Sequence, residues 1–178
     1  STAPSGRETM NPGNPAELEE VIEALATLLQ GRDRRICTAE SCTGGGIAAR
    51  LTGMPGSSAW FECGWVTYSN ASKTRLLGVE AGLLERWGAV SAPVAAAMCA
   101  GALEYCEADF ALSVTGIAGP GGGTPEKPVG LVWFGWMRRG VEPRTASRVF
   151  PGGREDVRAA AALWSLRQLL EYASERDR

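Results

Sequence analysis

Two short apolar segments of this chain run directly into glycine-rich segments, and this arrangement limits the folds it can adopt. Residues 35–39 lead into 40–46 (ESCTGGG), and residues 110–115 lead into 116–123 (GIAGPGGG). Apolar residues resume helical spacing at Ile47, so the first glycine run connects a strand to a helix. Strands that alternate with helices in this way indicate an α/β domain.

The rest of the pattern completes one domain with a mixed sheet. A cap at Asn14, followed by Pro15 and Glu17, predicts a first helix that ends at Gly31. Apolar patterns predict strands over 35–39, 59–68 and 110–115, a hairpin over 129–138 and 144–150, and helices over 47–51, 73–77, 81–87, 91–105 and 154–173. We expect the domain to cover residues 14–176. Residues 1–13, rich in Ser, Thr, Pro and Gly, are predicted to be a disordered tail.

The chain contains no histidine, which removes the commonest general base and the commonest zinc ligand. Ser-His-Asp, Cys-His and HExxH chemistry are therefore excluded within this chain. Of its 18 basic residues, only Lys73 and Lys127 are lysines. A desolvated lysine can lose its proton, whereas an arginine cannot, so a lysine near a nucleophile is a candidate base.

Charge and cysteine content limit the partners and the compartment. The net charge of −2 argues against a nucleic-acid surface, and no apolar run is long enough to span a bilayer. Without a signal-peptide pattern, we expect a cytoplasmic protein. The five cysteines form no CxxC pair, so they indicate neither a zinc ribbon nor a redox motif and are expected to be reduced. Cys99 and Cys106 are predicted to be small buried hydrophobes.

The first candidate site is the turn around Ser41. A strand that passes into a helix through Ser and Gly places the hydroxyl near backbone N–H groups that can bind an oxyanion or a phosphate. The alternative is an ordinary N-cap serine with glycines that allow close packing. Cys42 is a weaker candidate nucleophile than Ser41, because the chain has no histidine to activate a thiol.

The second candidate site contains Tyr68 and Lys73, at the end of one predicted strand and the start of a helix. A partly desolvated lysine beside a serine can accept the proton of its hydroxyl. The alternative is a solvated lysine at a helix start. The separation of five residues differs from the Tyr-x-x-x-Lys of short-chain dehydrogenases, and no G-x-G-x-x-G precedes residue 40.

The third candidate site is the loop over residues 115–124. Its glycines can form a nest of N–H groups for an anion, although no Gly-Lys-Ser/Thr follows, so it is not a Walker P-loop. The alternative is a flexible connection between strands. Lys127 lies beyond the glycines and is expected to be exposed.

Taken together, five ordered segments of this chain resemble the CinA C-terminal domain family. They are 38–45 (TAESCTGG), 55–61 (PGSSAWF), 66–70 (VTYSN), 88–91 (GAVS) and 114–123 (VTGIAGPGGG). The resemblance covers residues 15–174 and implies a three-layer α/β/α fold with a mixed sheet of about five strands. The chain resembles the members of this family that are stand-alone amidohydrolases. The resemblance also implies that the protein is a homodimer and uses no metal or cofactor.

The resemblance further implies an activity. Characterised members of the family hydrolyse nicotinamide mononucleotide (NMN) to nicotinate mononucleotide and ammonia, and the family's catalytic Ser, Tyr and Lys correspond here to Ser41, Tyr68 and Lys73. We expect an acyl transfer in which Lys73 deprotonates Ser41, with Tyr68 assisting. Substrate-binding positions are expected at Gly44, Gly45, Asn70, Thr115, Gly116, Ala118 and Gly119, the first two near the oxyanion and the last four near the ribose phosphate.

Two positions depart from the family pattern. Cys63 stands where the family usually has Arg, and Gly153 where it often has Asp. Two other functions remain open at this point: a non-catalytic nucleotide-binding module of the same fold, and an amidase that uses the same mechanism on another amide.

Overall fold

The computed structural model describes residues 13–175. The predicted tail of residues 1–13 therefore lies almost entirely outside the described residues, as does residue 176, the predicted end of the domain. The described helices are α1 (Pro15–Gly31), α2 (Gly46–Thr52), α3 (Asn70–Leu77), α4 (Ala81–Trp87), α5 (Ala92–Glu104) and α6 (Arg154–Ser174). The described strands are β1 (Ile36–Glu40), β2 (Phe61–Val66), β3 (Phe110–Gly116), β4 (Leu131–Arg138) and β5 (Arg144–Val149).

The five strands form one mixed sheet in the order β2-β1-β3-β4-β5. β1 lies parallel to both β2 and β3, whereas β4 and β5 form the predicted antiparallel hairpin beside β3. Every residue of β1 is buried, while β5, at the sheet edge, is mostly exposed. A parallel strand is covered on both faces, which explains its continuous burial. The predicted mixed sheet of about five strands is confirmed.

Helices cover both faces of the sheet and produce the three layers that the resemblance implies. On one face, α1, α2 and α6 pack over Ile36, Leu112 and Phe134 in the larger apolar core. On the other face, α3, α4 and α5 pack over Cys37 and Ala39. Side chains of β1 therefore alternate between the two helical layers, as the period of a strand requires.

Helix boundaries follow from local capping. The side chain of Asn14 accepts hydrogen bonds from the N–H groups of residues 16 and 17, and Ser91 caps α5 in the same way. α3 begins three residues earlier than the spacing predicts, because the Ser69 hydroxyl accepts from the N–H of Ser72. The second strand is shorter than predicted, since residues 57–59 form a 3-10 turn instead.

The topology brings three chain segments to one edge of the sheet. β1 lies between β2 and β3, and its carboxyl end is tied to both: Ser41 N–H donates to the carbonyl of Val114, and Thr67 N–H donates to the carbonyl of Glu40. Ligands of open α/β sheets commonly bind at the carboxyl ends of such strands. Across residues 13–175, none of the helices is long and apolar enough to cross a membrane.

Candidate active site

The Lys73 ammonium group lies against the Ser41 hydroxyl at the carboxyl end of β1. Its Nζ atom is 2.9 Å from Ser41 Oγ, 2.7 Å from the carbonyl oxygen of Thr67 and 3.2 Å from that of Tyr68. Lys73 is 1% exposed and Ser41 is 7% exposed. The structure therefore brings together two of the three residues predicted to be catalytic, and it contradicts a solvated lysine at this helix start.

The three oxygen neighbours suit a neutral amine that accepts a proton. In the neutral form, the two N–H bonds of Lys73 donate to the two carbonyls, and the lone pair faces the hydroxyl of Ser41. Burial lowers the pKa of Lys73 to about 8, because the charged ammonium loses its hydration. A substantial fraction of the lysine is therefore neutral near physiological pH.

Local structure explains why Lys73 lies inside the protein. It lies in the first turn of α3, where its N–H donates to the carbonyl of Ser69, and Leu77 anchors the end of the same helix in the core. At Gly101 of α5, an added Cβ would overlap the carbonyl oxygen of Leu77. Only glycine lets α3 approach α5 this closely, and the approach holds Lys73 against β1.

Glu40, which sequence reasoning did not select, organises the turn after β1. Its buried carboxylate accepts from the hydroxyl of Thr43 at 2.6 Å and from the N–H groups of Ile47 and Ala48 at 2.9 and 3.0 Å. Those N–H groups belong to the first turn of α2, which normally lacks intrahelical acceptors. The helix start therefore holds an internal carboxylate, and these N–H groups are already engaged.

The two glycines predicted to lie near the oxyanion occupy a different place. The N–H of Gly44 donates to the carbonyl of Ser41 at 3.0 Å, and both Gly44 and Gly45 adopt positive φ at the turn into α2. Neither residue lines the cavity beside Ser41. Their role in the structure is to shape the turn, which agrees with the packing alternative for these glycines.

A cavity of about 220 Å³ opens beside Ser41 and Lys73. Of the predicted binding positions, Thr115, Gly116 and Ala118 line it, while Gly44, Gly45, Gly119 and the exposed Asn70 do not. The complete lining is Ser41, Cys42, Tyr68, Lys73, Ala89, Val90, Thr115, Gly116, Ala118 and Arg154. Thr115 donates its hydroxyl proton to the carbonyl of Ala89 at 2.9 Å and so joins two segments of the cavity lining.

The segments that follow β1 and β3 each bring a free backbone N–H group to this cavity. Within residues 13–175, the N–H groups of Cys42 and Ala118 have no acceptor on another residue, and both residues line the cavity. Cys42 directly follows Ser41, and Ala118 lies in the glycine-rich loop after β3. The loop therefore contributes to the site through its first residues, whereas Gly121, Gly122 and Gly123 are exposed and lie outside the lining.

Arg154, the first residue of α6, places a positive charge at the cavity. Its guanidinium donates to the carbonyl of Gly119 at 2.8 Å and to the phenol oxygen of Tyr68 at 3.0 Å. The Tyr68 side chain is 61% exposed, so its phenol lies at the cavity rim, while its carbonyl binds Lys73. No local signal identified Arg154 as a site residue, because tertiary contacts bring α6 to this edge.

Two further residues noted in the sequence, Cys42 and Lys127, have buried or partly buried side chains. Burial raises the pKa of the Cys42 thiol to about 12, which disfavours the thiolate that a cysteine nucleophile needs. Lys127 is partly buried and donates to the carbonyl of Trp87 at 2.6 Å, whereas the sequence predicted an exposed side chain. Among the described residues, no cluster of three or more His, Cys, Asp or Glu side chains is arranged to hold a metal ion.

Comparison with known proteins places this geometry in a family context. The family model for the CinA C-terminal domain matches residues 18–173. The nicotinamide-nucleotide amidohydrolase PncC of Escherichia coli is 46% identical over 154 residues, covering 86% of this chain and 93% of that protein. The protein of the same name from Pseudomonas putida is 51% identical over 158 residues, covering 86% and 98%.

Longer relatives and solved structures also match. The CinA-like protein of Akkermansia muciniphila is 52% identical over 149 residues, but the chain spans only 36% of its length. The crystal structure of the competence/damage inducible protein CihA from Agrobacterium tumefaciens has a TM-score of 0.86 at 41% identity, covering 90% of this chain and 98% of that one. A CinA superfamily protein from Escherichia coli has a TM-score of 0.85 at 38% identity, covering 89% and 92%.

Proposed function

The chain belongs to the family of the CinA C-terminal domain, and we propose on that premise that it hydrolyses NMN to nicotinate mononucleotide and ammonia. The observation that carries the proposal is the buried Lys73 Nζ, which lies 2.9 Å from Ser41 Oγ at a cavity. The amidohydrolases of Escherichia coli and Pseudomonas putida match over nearly their whole length, which supports the same substrate.

The proposed chemistry is an acyl transfer through Ser41. Neutral Lys73 accepts the hydroxyl proton as Ser41 Oγ attacks the carboxamide carbon. Lys73 then returns that proton to the departing amine, which leaves as ammonia, and a nicotinoyl ester on Ser41 remains. Lys73 next deprotonates a water molecule, which attacks the ester and releases the carboxylate with Ser41 regenerated. Residues of the chain itself carry out each of these proton transfers, so the proposed reaction uses no metal or cofactor.

The N–H groups of Cys42 and Ala118 are the proposed oxyanion donors. The N–H of the residue after a nucleophile fills this role in other hydrolases that place a serine between a strand and a helix. These donors replace Gly44 and Gly45 in the assignment, because neither glycine lines the cavity and the N–H of Gly44 is already bound to the Ser41 carbonyl. Donors already directed at the developing charge lower the barrier without reorganisation.

The size of the cavity indicates how NMN would be oriented. Pockets that enclose a whole small ligand measure about 300–1,000 Å³, so 220 Å³ fits the pyridine carboxamide and leaves the ribose phosphate at the mouth. Arg154 lies there and can bind a phosphate through two parallel N–H bonds. Tyr68, hydrogen-bonded to Arg154, is the proposed positioning residue for that guanidinium, rather than a relay between Lys73 and Ser41.

Incubation of the protein with NMN tests the proposal directly. We expect ammonia and nicotinate mononucleotide in equal amounts, and neither product from the matched Ser41→Ala variant. Binding of NMN without release of ammonia would instead support the nucleotide-binding module. Ammonia from other carboxamides but none from NMN would support an amidase of different specificity.

The remaining expectations from the family resemblance form part of the same proposal. We propose that residues 14–176 act as one amidohydrolase domain, that the protein is a homodimer, and that it acts in the cytoplasm on a small nucleotide. Size-exclusion chromatography with light scattering tests the dimer, and a mass equal to one chain would contradict it.

A further inference from the structure

Three cysteines lie on the face of the sheet that α3, α4 and α5 cover. Cys37 of β1 and Cys63 of β2 are register partners on adjacent parallel strands. Cys106 follows α5 in the loop that leads to β3, and Cys63 and Cys106 both pack against the core cluster that contains Cys37. We call these three residues the thiol cluster. All three are free thiols, and none lines the cavity beside Ser41.

The surroundings of Cys106 favour its thiolate. Its sulfur accepts the N–H of Ala108 at 3.4 Å, and the guanidinium of Arg139 lies nearby, donating to the carbonyls of both Cys106 and Ala108. The nearby thiol of Cys37, together with the N–H of Ala108 and the charge of Arg139, lowers the pKa of Cys106 below that of a free thiol.

The partner thiols are affected in the opposite direction. Hydrogen bonding to Cys106 and burial raise the pKa of Cys37, and burial raises that of Cys63 to about 12, with the carboxylate of Glu62 adding to the effect. Cys37 and Cys63 therefore remain protonated, whereas Cys106 is the most acidic of the three thiols. Cys106 is also partly exposed, contrary to the buried side chain that the sequence predicts, so small reagents can reach it.

Cys42 and Cys99, outside the thiol cluster, differ from Cys106 in solvent exposure and in thiol pKa. Both are buried, and burial raises the pKa of each to about 12. The thiol cluster also does not fit a metal centre, since no group of three or more potential ligands within residues 13–175 is arranged to hold an ion. Thiol chemistry, rather than metal binding, is what this arrangement suits.

We propose that Cys106 is a peroxide-reactive site, at which hydrogen peroxide produces a sulfenic acid that Cys37 converts into a Cys37–Cys106 disulfide. In the first step, the sulfur of Cys106 attacks one peroxide oxygen, the O–O bond breaks, and hydroxide leaves. In the second step, the sulfur of Cys37 displaces the hydroxyl group of the sulfenic acid, and its proton leaves with that group as water. Peroxide is the oxidant, and the two thiols together supply two electrons.

The disulfide would form away from the chemistry proposed for Ser41. Cys37 precedes Ser41 by four residues on a fully buried strand, and Cys106 lies in the loop that enters β3 from the opposite edge of the sheet. Oxidation is therefore expected to leave the release of ammonia from NMN within about twofold of the reduced protein. This makes the site independent of the function proposed above.

Treatment of the full chain with hydrogen peroxide at pH 7, followed by peptide mapping, tests the proposal. We expect a loss of two hydrogens per chain and one cross-linked peptide joining Cys37 to Cys106. Cys106→Ser should abolish the cross-link. A first oxidation at another cysteine, or conversion of Cys106 to sulfonic acid without a cross-link, would overturn the proposal. A link from Cys106 to Cys63 would overturn the assignment of Cys37.

Alkylation by iodoacetamide tests the cause of the reactivity with a matched pair of variants. Cys37→Ala should slow alkylation of Cys106 at pH 6 by about tenfold, because the thiolate fraction falls more than the nucleophilicity rises. Cys99→Ala, which removes a buried thiol outside the thiol cluster, should leave the rate unchanged. Equal rates for Cys37→Ala and wild type, with unchanged circular dichroism, would show that Cys37 does not activate Cys106.

Discussion

The guanidinium of Arg154 donates a hydrogen bond of 3.0 Å to the phenol oxygen of Tyr68, although the two residues are 86 positions apart in the chain. The same guanidinium holds the carbonyl of Gly119, so one side chain joins α6, the segment after β2 and the glycine-rich loop. This contact forms the mouth of the cavity, where the proposed orientation of NMN places the phosphate.

Arg154→Ala is expected to raise the KM for NMN by tenfold to a hundredfold, with a smaller change in kcat. Charge-assisted hydrogen bonds to a phosphate contribute about 1.5–3 kcal/mol, which corresponds to that range. Steady-state kinetics with NMN and with nicotinamide riboside, which lacks the phosphate, provide the measurement. The wild type should have a low kcat/KM for the riboside, and the Arg154→Ala substitution should not lower that kcat/KM further.

Arg75→Ala provides the control for Arg154, because Arg75 is an exposed arginine of α3 outside the cavity lining. Its kinetics with both substrates should match those of the wild type. An equal loss on NMN and on the riboside in Arg154→Ala would contradict a phosphate contact.

Ser41→Ala should lower kcat by at least about 10³-fold, as expected for removal of a nucleophile. Cys42→Ala should keep most of the activity, since burial raises the pKa of that thiol to about 12 and leaves it protonated. Release of ammonia from NMN measures both variants. The opposite order of the two activities would assign the nucleophile to Cys42.

Lys73→Arg should be nearly as inactive as Lys73→Ala, although it preserves the positive charge. A general base must be neutral for part of the time, and a guanidinium never is. Loss of a general base costs about 10²–10⁴ in rate. If Lys73→Arg retained more than a third of wild-type kcat/KM, Lys73 would have only a structural or electrostatic role and would not be the general base.

The kcat/KM of the wild type for NMN should rise with pH through a midpoint near 8. Burial lowers the pKa of Lys73 to about 8, and only the neutral amine accepts the proton of Ser41, so activity is low below this pH and reaches a plateau above it. The cation of the bound pyridinium ring favours the neutral lysine further, so the midpoint of kcat should lie below that of kcat/KM. A profile that falls between pH 7 and 9 would be incompatible with this base.

Glu40→Gln should destabilise the protein by about 1–3 kcal/mol, because an amide has one acceptor oxygen and the carboxylate of Glu40 accepts three hydrogen bonds through two. Urea unfolding followed by circular dichroism gives the free energy of unfolding. Glu80→Gln is the matched control, since Glu80 is exposed at the start of α4. Equal stability of the two variants would indicate that Glu40 does not hold the turn.

The helices and strands could be predicted because their signals are local. α4 begins and ends at the predicted residues, and α5 begins one residue after its predicted start, since apolar spacing and capping act within a few residues. The mixed sheet followed from the alternation of strands and helices and from the hairpin over β4 and β5. The pairing of Ser41 with Lys73 was predicted from the family resemblance, and their placement agrees with it.

Features that depend on distant neighbours came only from the tertiary structure. The sequence shows an acidic residue at position 40, but only the packing of α2 beside β1 brings two helix N–H groups to its carboxylate. Likewise, Arg154 reaches the cavity because the packing of α6 on the sheet brings its first residue to Tyr68 and Gly119. Cys106 resembles a small core residue in sequence, and its place beside Arg139 and against the core that contains Cys37 follows only from the tertiary structure. Local propensity acts over one or two turns of the chain. The hydrogen-bond partners, burial and pKa of a side chain depend instead on which distant segments pack against it.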